Sequence, residues 1–140
     1  MGLTETLIDT GPLVALIDRR DEHHAWAVRQ ANQLDAPFYT CEGVLGEAHF
    51  LLRERTREGN ETLIELVERE RLDVSFSYAD HAGRIHELMR TYADQPMSFA
   101  DAELVCLSGR YRESKVFTTD SDFLVYRRDG DEAIDVLMPS

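Results

Sequence analysis

The chain has 140 residues, 15 lysines and arginines against 27 aspartates and glutamates, and a formal net charge of −12. That length suits a single domain over 1–140 with a sizeable core, and 43 % hydrophobic with 30 % charged residues is a globular, not a disordered, composition. The longest wholly apolar run is Leu13–Ile17, so no membrane-spanning helix is expected, and Asp9 and Pro12 interrupt the N-terminal apolar stretch, so no secretory leader is expected either.

In chain order, Leu3–Asp9 reads as a short strand ending in an acid. Gly11-Pro12 opens a helix, with proline where a first turn tolerates it. His23–Leu34 is helical, with Ala27, Val28, Ala31 and Leu34 on one stripe. Phe38–Thr40 is a short strand after Pro37. Glu42–Arg57 is a helix whose inner face carries Val44, Glu47, Ala48, Leu51 and Leu52. Gly59-Asn60 breaks it, and Glu61–Glu70 is another helix, its glutamates a solvated face. Leu72–Phe76 alternates like a strand. Tyr78–Tyr92 is amphipathic, with Tyr78, Ala82, Ile85, Met89 and Tyr92 on one stripe. Phe99–Tyr111 is apolar almost all round and predicts a buried helix. Val116–Thr119 and Ile134–Leu137 are the last strands. Strands and helices alternate, which predicts an α/β layer fold with a central, mostly parallel sheet, whose ligands bind beyond the carboxyl ends of its strands.

The acidity argues against a surface built to hold phosphate, but net charge is a sum and a site is local. Several acids stand where a solvated face does not explain them. Asp9 ends a strand and starts Asp-Thr-Gly-Pro; the ordinary reading is a helix N-cap. Asp101 follows Ser98-Phe99-Ala100, which fits a capping box. Asp120 and Asp122 follow a strand and fit an Asx turn. Glu47 sits on or beside an apolar stripe, where a buried carboxylate needs a partner. Taken together, Asp9 and Asp120 lie at carboxyl ends of strands, Asp101 begins a buried helix and Glu47 lies within another, so a parallel sheet can gather them. Carboxylates sharing a pocket repel, and a divalent cation relieves that. An all-oxygen donor set favours Mg²⁺ or Mn²⁺ over Zn²⁺. His23, His24, His49, His81 and His86 form no metal motif, and Cys41 and Cys106 read as buried free thiols of a reducing cytoplasm. Asp-Thr-Gly also occurs in aspartic proteases, but that fold is nearly all β. Asp120-Ser121-Asp122 opens like a calcium loop, yet Val125 stands where that loop needs glycine.

Leu7-Ile8-Asp9-Thr10-Gly11-Pro12-Leu13-Val14-Ala15-Leu16 resembles the opening motif of PIN domains. Glu47-Ala48, Pro96-Met97-Ser98-Phe99-Ala100-Asp101-Ala102 and Thr118-Thr119-Asp120-Ser121-Asp122-Phe123 are similar to the second, third and fourth acidic motifs, in order across nearly the whole chain. The subgroup it looks most like is the VapC-like toxins of toxin–antitoxin pairs. The resemblance implies a PIN-like three-layer α/β/α fold and a Mg²⁺- or Mn²⁺-dependent endoribonuclease. Asp9, Glu47, Asp101 and Asp120 would be its catalytic acids, the same four with Asp122 its candidate metal ligands, and Thr10, Thr118, Thr119 and Ser121 the hydroxyls orienting them. It further implies an RNA substrate, a cognate antitoxin, a homodimer and a cytoplasmic location. An RNA-processing nuclease that is not a toxin, and a non-catalytic PIN-fold binding module, are the alternatives; four intact acids argue against the second. The Tyr78–Tyr92 and His23–Leu34 helices are possible interface elements. Any grip on RNA would be local and carried by arginines such as Arg19, Arg20, Arg53, Arg127 and Arg128.

Overall fold

The computed structural model describes residues 4–140; Leu3, at the start of the first expected strand, lies outside them. The elements are β1 Thr6–Ile8, α1 Thr10–Ile17, α2 His24–Ala31, β2 Phe38–Tyr39, α3 Glu42–Arg55, α4 Gly59–Glu68, β3 Leu72–Asp73, α5 Ala82–Thr91, α6 Phe99–Arg110, β4 Lys115–Phe117, β5 Arg127–Arg128, β6 Glu132–Ala133 and β7 Asp135–Leu137. Strands pair in the order β3-β2-β1-β4-β7, every pair parallel. Helices cover the sheet, giving the α/β layer architecture that the alternation predicts. β1 sits at the centre with Thr6, Leu7 and Ile8 all buried, the continuous burial expected of a strand covered on both faces.

The sheet's register places the site. Ile8 lies opposite Phe117, so the residues that leave β1 and β4 emerge side by side. Asp9 is the first of them, and its N–H donates to the Phe117 carbonyl at 3.0 Å. α1 starts immediately afterwards. Pro12 falls in its first turn, where no intrahelical N–H is lost. Gly11 is required by close packing: a β-carbon there would collide with the Thr119 hydroxyl.

α6 runs through the core with every residue from Ala100 to Ser108 buried, as its sequence predicts; its first residue, Phe99, is 41 % exposed. The glutamates at 58, 61, 65, 68 and 70 are solvated, and both cysteines are free and buried. No helix among the described residues is long and apolar enough to cross a membrane.

Two expectations about helix faces change, and one about the arginines. Glu47 is exposed. The buried stripe of α3 is Val44, Ala48 and Leu52, a run of fours, and at roughly 100° per residue Glu47 sits at its margin. It therefore needs no buried partner. On α5 the core face is Ile85 and Leu88, while Met89 and Tyr78 are exposed. A 3₁₀ turn over Ala79–His81 precedes α5; its tighter winding resets the phase between Tyr78 and the helix. Two of the five arginines named for RNA are committed to the fold. Arg127 Nη1 donates to the carbonyls of Leu124, Val125 and Tyr126. Arg128 is 4 % exposed and donates to the carbonyls of Arg112 and Ser114. Together they secure the antiparallel β5–β6 ribbon, which its two-residue strands hid from sequence patterning.

Candidate functional site

Asp9 caps α1, accepting from the Thr10 N–H at 2.8 Å through Oδ1. Its Oδ2 accepts from the Thr118 hydroxyl at 2.7 Å, a bond made possible by the β1–β4 register. Asp101 belongs to a capping box: the Ser98 hydroxyl accepts from the Asp101 N–H, and Asp101 Oδ2 accepts from the Ser98 N–H at 3.3 Å. The same oxygen accepts from the Tyr126 hydroxyl at 3.0 Å. Asp120 caps the 3₁₀ turn Ser121–Leu124, its Oδ1 accepting from the Asp122 N–H at 2.9 Å, while its own N–H donates to Thr118 Oγ1. All three acids thus do the local capping work their sequences suggest.

Capping does not exhaust them. Asp9, Asp101 and Asp120 each bring a carboxylate oxygen to a common point, the three atoms lying within 4.8 Å of one another. Among the described residues, no hydrogen bond engages Asp101 Oδ1 or Asp120 Oδ2. Burial and mutual repulsion set the electrostatics. Asp9 and Asp101 are each only 7 % exposed. Burial pushes the Asp9 carboxyl up from 3.8 to about 6 against the Thr118 and Thr10 bonds, with Asp101 and Asp120 adding repulsion. Burial also raises Asp101, while the Tyr126 and Ser98 bonds oppose the rise.

Glu47 lies at the rim, its Oε2 accepting from the Thr10 hydroxyl at 3.2 Å, outside the three-acid cluster. Asp122 is half-buried in the turn after Asp120 and also stands outside the cluster; burial and the neighbouring Asp120 raise its carboxyl. Of the hydroxyls, Thr10 and Thr118 hold site carboxylates. Thr119 packs over Gly11, and Ser121 is exposed.

Two supporting residues escape the sequence reading. Tyr126 is fully buried, and the signal available was only a tyrosine four residues after Asp122. Glu103 is buried in α6, and its signal was a charge standing between Ala102 and the apolar run Leu104–Leu107.

Three oxygen-donor carboxylates, two with an unengaged oxygen, in a space this small fit a hard divalent cation: Mg²⁺ and Mn²⁺ take such donors, and the cation's charge offsets the repulsion.

A family model described as PIN domain matches residues 6–129. The chain belongs to the PIN-domain family. No curated protein matches it in sequence. Among solved structures, this PIN domain is similar to the VapC20 toxin of Mycobacterium tuberculosis, described as cleaving the sarcin–ricin loop. The two share 21 % identity with a TM-score of 0.71, covering 84 % of this chain and 92 % of that one. At that identity the likeness establishes the fold that the resemblance implied. In this PIN fold the acids of the first, third and fourth motifs form the cluster, and that of the second lies at its rim.

Proposed function

We propose that this PIN domain is a Mg²⁺- or Mn²⁺-dependent endoribonuclease, the toxin of a toxin–antitoxin pair. The observation that carries the reading is the convergence of the Asp9, Asp101 and Asp120 oxygens within 4.8 Å at the carboxyl end of the sheet. Asp9, Asp101 and Asp120 would hold the cation, with Glu47 completing the site from its rim and Asp122 a further acid beside it. When bound, the ion supplies charge neutralisation at the phosphodiester and a more acidic water.

The protein's own contribution is orientation. Thr118 and the Thr10 N–H fix both oxygens of Asp9. Tyr126 and Ser98 fix one oxygen of Asp101 and leave the other free. Thr10 tethers Glu47. Holding these groups before substrate arrives is what makes such a site effective.

The sarcin–ricin loop, which the VapC20 neighbour is described as cleaving, is the first substrate to try. The toxin reading carries with it an antitoxin partner, a cytoplasmic location and a homodimer, for which exposed Tyr78 and Phe99, in edge-to-face contact at 5.0 Å, are candidate contacts. The deciding experiment incubates a panel of structured RNAs, the sarcin–ricin loop included, with the protein and Mg²⁺ or Mn²⁺. Cutting should be lost on adding EDTA and in Asp9→Asn. Cutting that persists in Asp9→Asn would sink this reading.

A further inference from the structure

α6 is apolar along most of its length, yet Glu103 lies in its middle, 1 % exposed. A carboxylate buried this deeply needs donors. Its Oε1 accepts from the Gly43 backbone N–H at 3.0 Å. Gly43 is the second residue of α3, and Cys41, which precedes that helix, provides no side-chain cap. Glu103 therefore caps α3 from a different helix, setting negative charge against the positive helix end. The fit is tight. A β-carbon on Gly43 would collide with Glu103 Oε1 and lie 3.2 Å from the Ala100 α-carbon. The backbones of α3 and α6 are thus locked together at one point. Glu47 lies four residues beyond Gly43, one turn along α3, and Asp101 lies in the first turn of α6, one residue beyond Ala100.

We infer that Glu103 is a positioning residue: its bond to Gly43 sets the place of Glu47 relative to the Asp9–Asp101–Asp120 cluster. The inference rests on the nuclease reading above. It makes Glu103 act through Glu47, which a role confined to stability does not require.

The test is a double-mutant cycle on kcat for RNA cleavage with Mn²⁺. It uses Glu103→Leu and Glu103→Gln, each with and without Glu47→Gln, all confirmed folded by circular dichroism at the assay temperature. Glu103→Leu should lower kcat roughly tenfold to a hundredfold, as misplacement of a site group does, with KM unchanged. Glu103→Gln keeps an oxygen for the Gly43 N–H and should recover most of the loss. In the Glu47→Gln background Glu103→Leu should cost little more. If Glu103→Leu does not fold, Gly43→Ala, which pushes on the same contact from the other side, takes its place in the cycle. The Mn²⁺ dissociation constant of the same variants gives a reading that needs no RNA. Losses that multiply independently of Glu47, or a Glu103→Leu enzyme with unaltered kcat and Mn²⁺ affinity, overturn the inference and leave the nuclease reading standing. A wild-type chain that neither binds Mn²⁺ nor cuts RNA overturns both.

Discussion

Asp9 is held where ionising it is costly. Its carboxyl is raised from 3.8 to about 6 by burial, partly offset by hydrogen bonds from Thr118 and Thr10. A carboxyl raised in the folded state binds its proton more readily than the unfolded chain does. Its contribution to stability is therefore full below about 3.8 and is lost as pH rises through about 6. Metal-free Asp9→Asn should then be more stable than the wild type at neutral pH, by on the order of 1–3 kcal/mol, and melt at a higher temperature, with the difference shrinking as pH falls toward 4. Thermal melts in EDTA across that range check it; an Asp9→Asn protein that melts lower at pH 7 contradicts it. Mn²⁺ should raise the wild-type melting temperature by linkage and leave Asp9→Asn unmoved. Tyr126→Phe removes the donor to Asp101 Oδ2 while keeping the ring in the core. Mn²⁺ affinity, measured by calorimetric titration, should fall about 10- to 100-fold, the range for losing a group that orients a metal ligand. An unaltered affinity would remove Tyr126 from the site.

Among the elements, the parts carried by local sequence were legible and the parts set by tertiary contact were not. Asp9-Thr10-Gly11-Pro12 and Ser98-Phe99-Ala100-Asp101 announce helix starts through their own backbone chemistry, and both are found as read. The capping box is worth about 1 kcal/mol, so Ser98→Ala should lower the unfolding free energy by that amount in urea titration. It should also loosen Asp101 enough to weaken Mn²⁺ binding, and a change in one without the other would separate the cap from the site. Glu47 reads as close to the core because a three-residue step from Val44 looks like the stripe; Ala48 and Leu52 fix the stripe's centre and leave Glu47 at its exposed margin. The phase of α5 was lost at the 3₁₀ turn that precedes it, since no residue type marks that change of winding. Glu103 and Tyr126 owe their roles to elements 60 and 25 residues away in sequence, beyond the reach of any local pattern.

For the whole molecule, the net charge of −12 has two sources that salt separates. Self-repulsion of the general surface is screened by any electrolyte, so the metal-free protein should become more stable as NaCl rises. The three-acid cluster instead needs a bound cation, so Mg²⁺ should stabilise the protein beyond NaCl of equal ionic strength. Equal stabilisation by the two salts in thermal melts would mean that the acids do not form a site. The fold-level reading, an α/β sheet with ligand chemistry at its carboxyl edge, followed from alternation alone. The β5–β6 ribbon did not, because two-residue strands carry no period and its anchor is the buried guanidinium of Arg128.

The segment from Asp120 to Tyr126 works as a ruler. One end supplies a carboxylate of the cluster, and the other supplies the hydroxyl that steadies Asp101. A single 3₁₀ turn lies between them, with Phe123 buried beneath it. Any residue added or removed within the turn changes the angular relation between its two ends. Substitutions on the solvent side of that turn should leave this relation intact, whereas a change of length there should not. An insertion between Ser121 and Val125 would leave every acid present and the sheet intact, yet put Asp101 and Asp120 out of step.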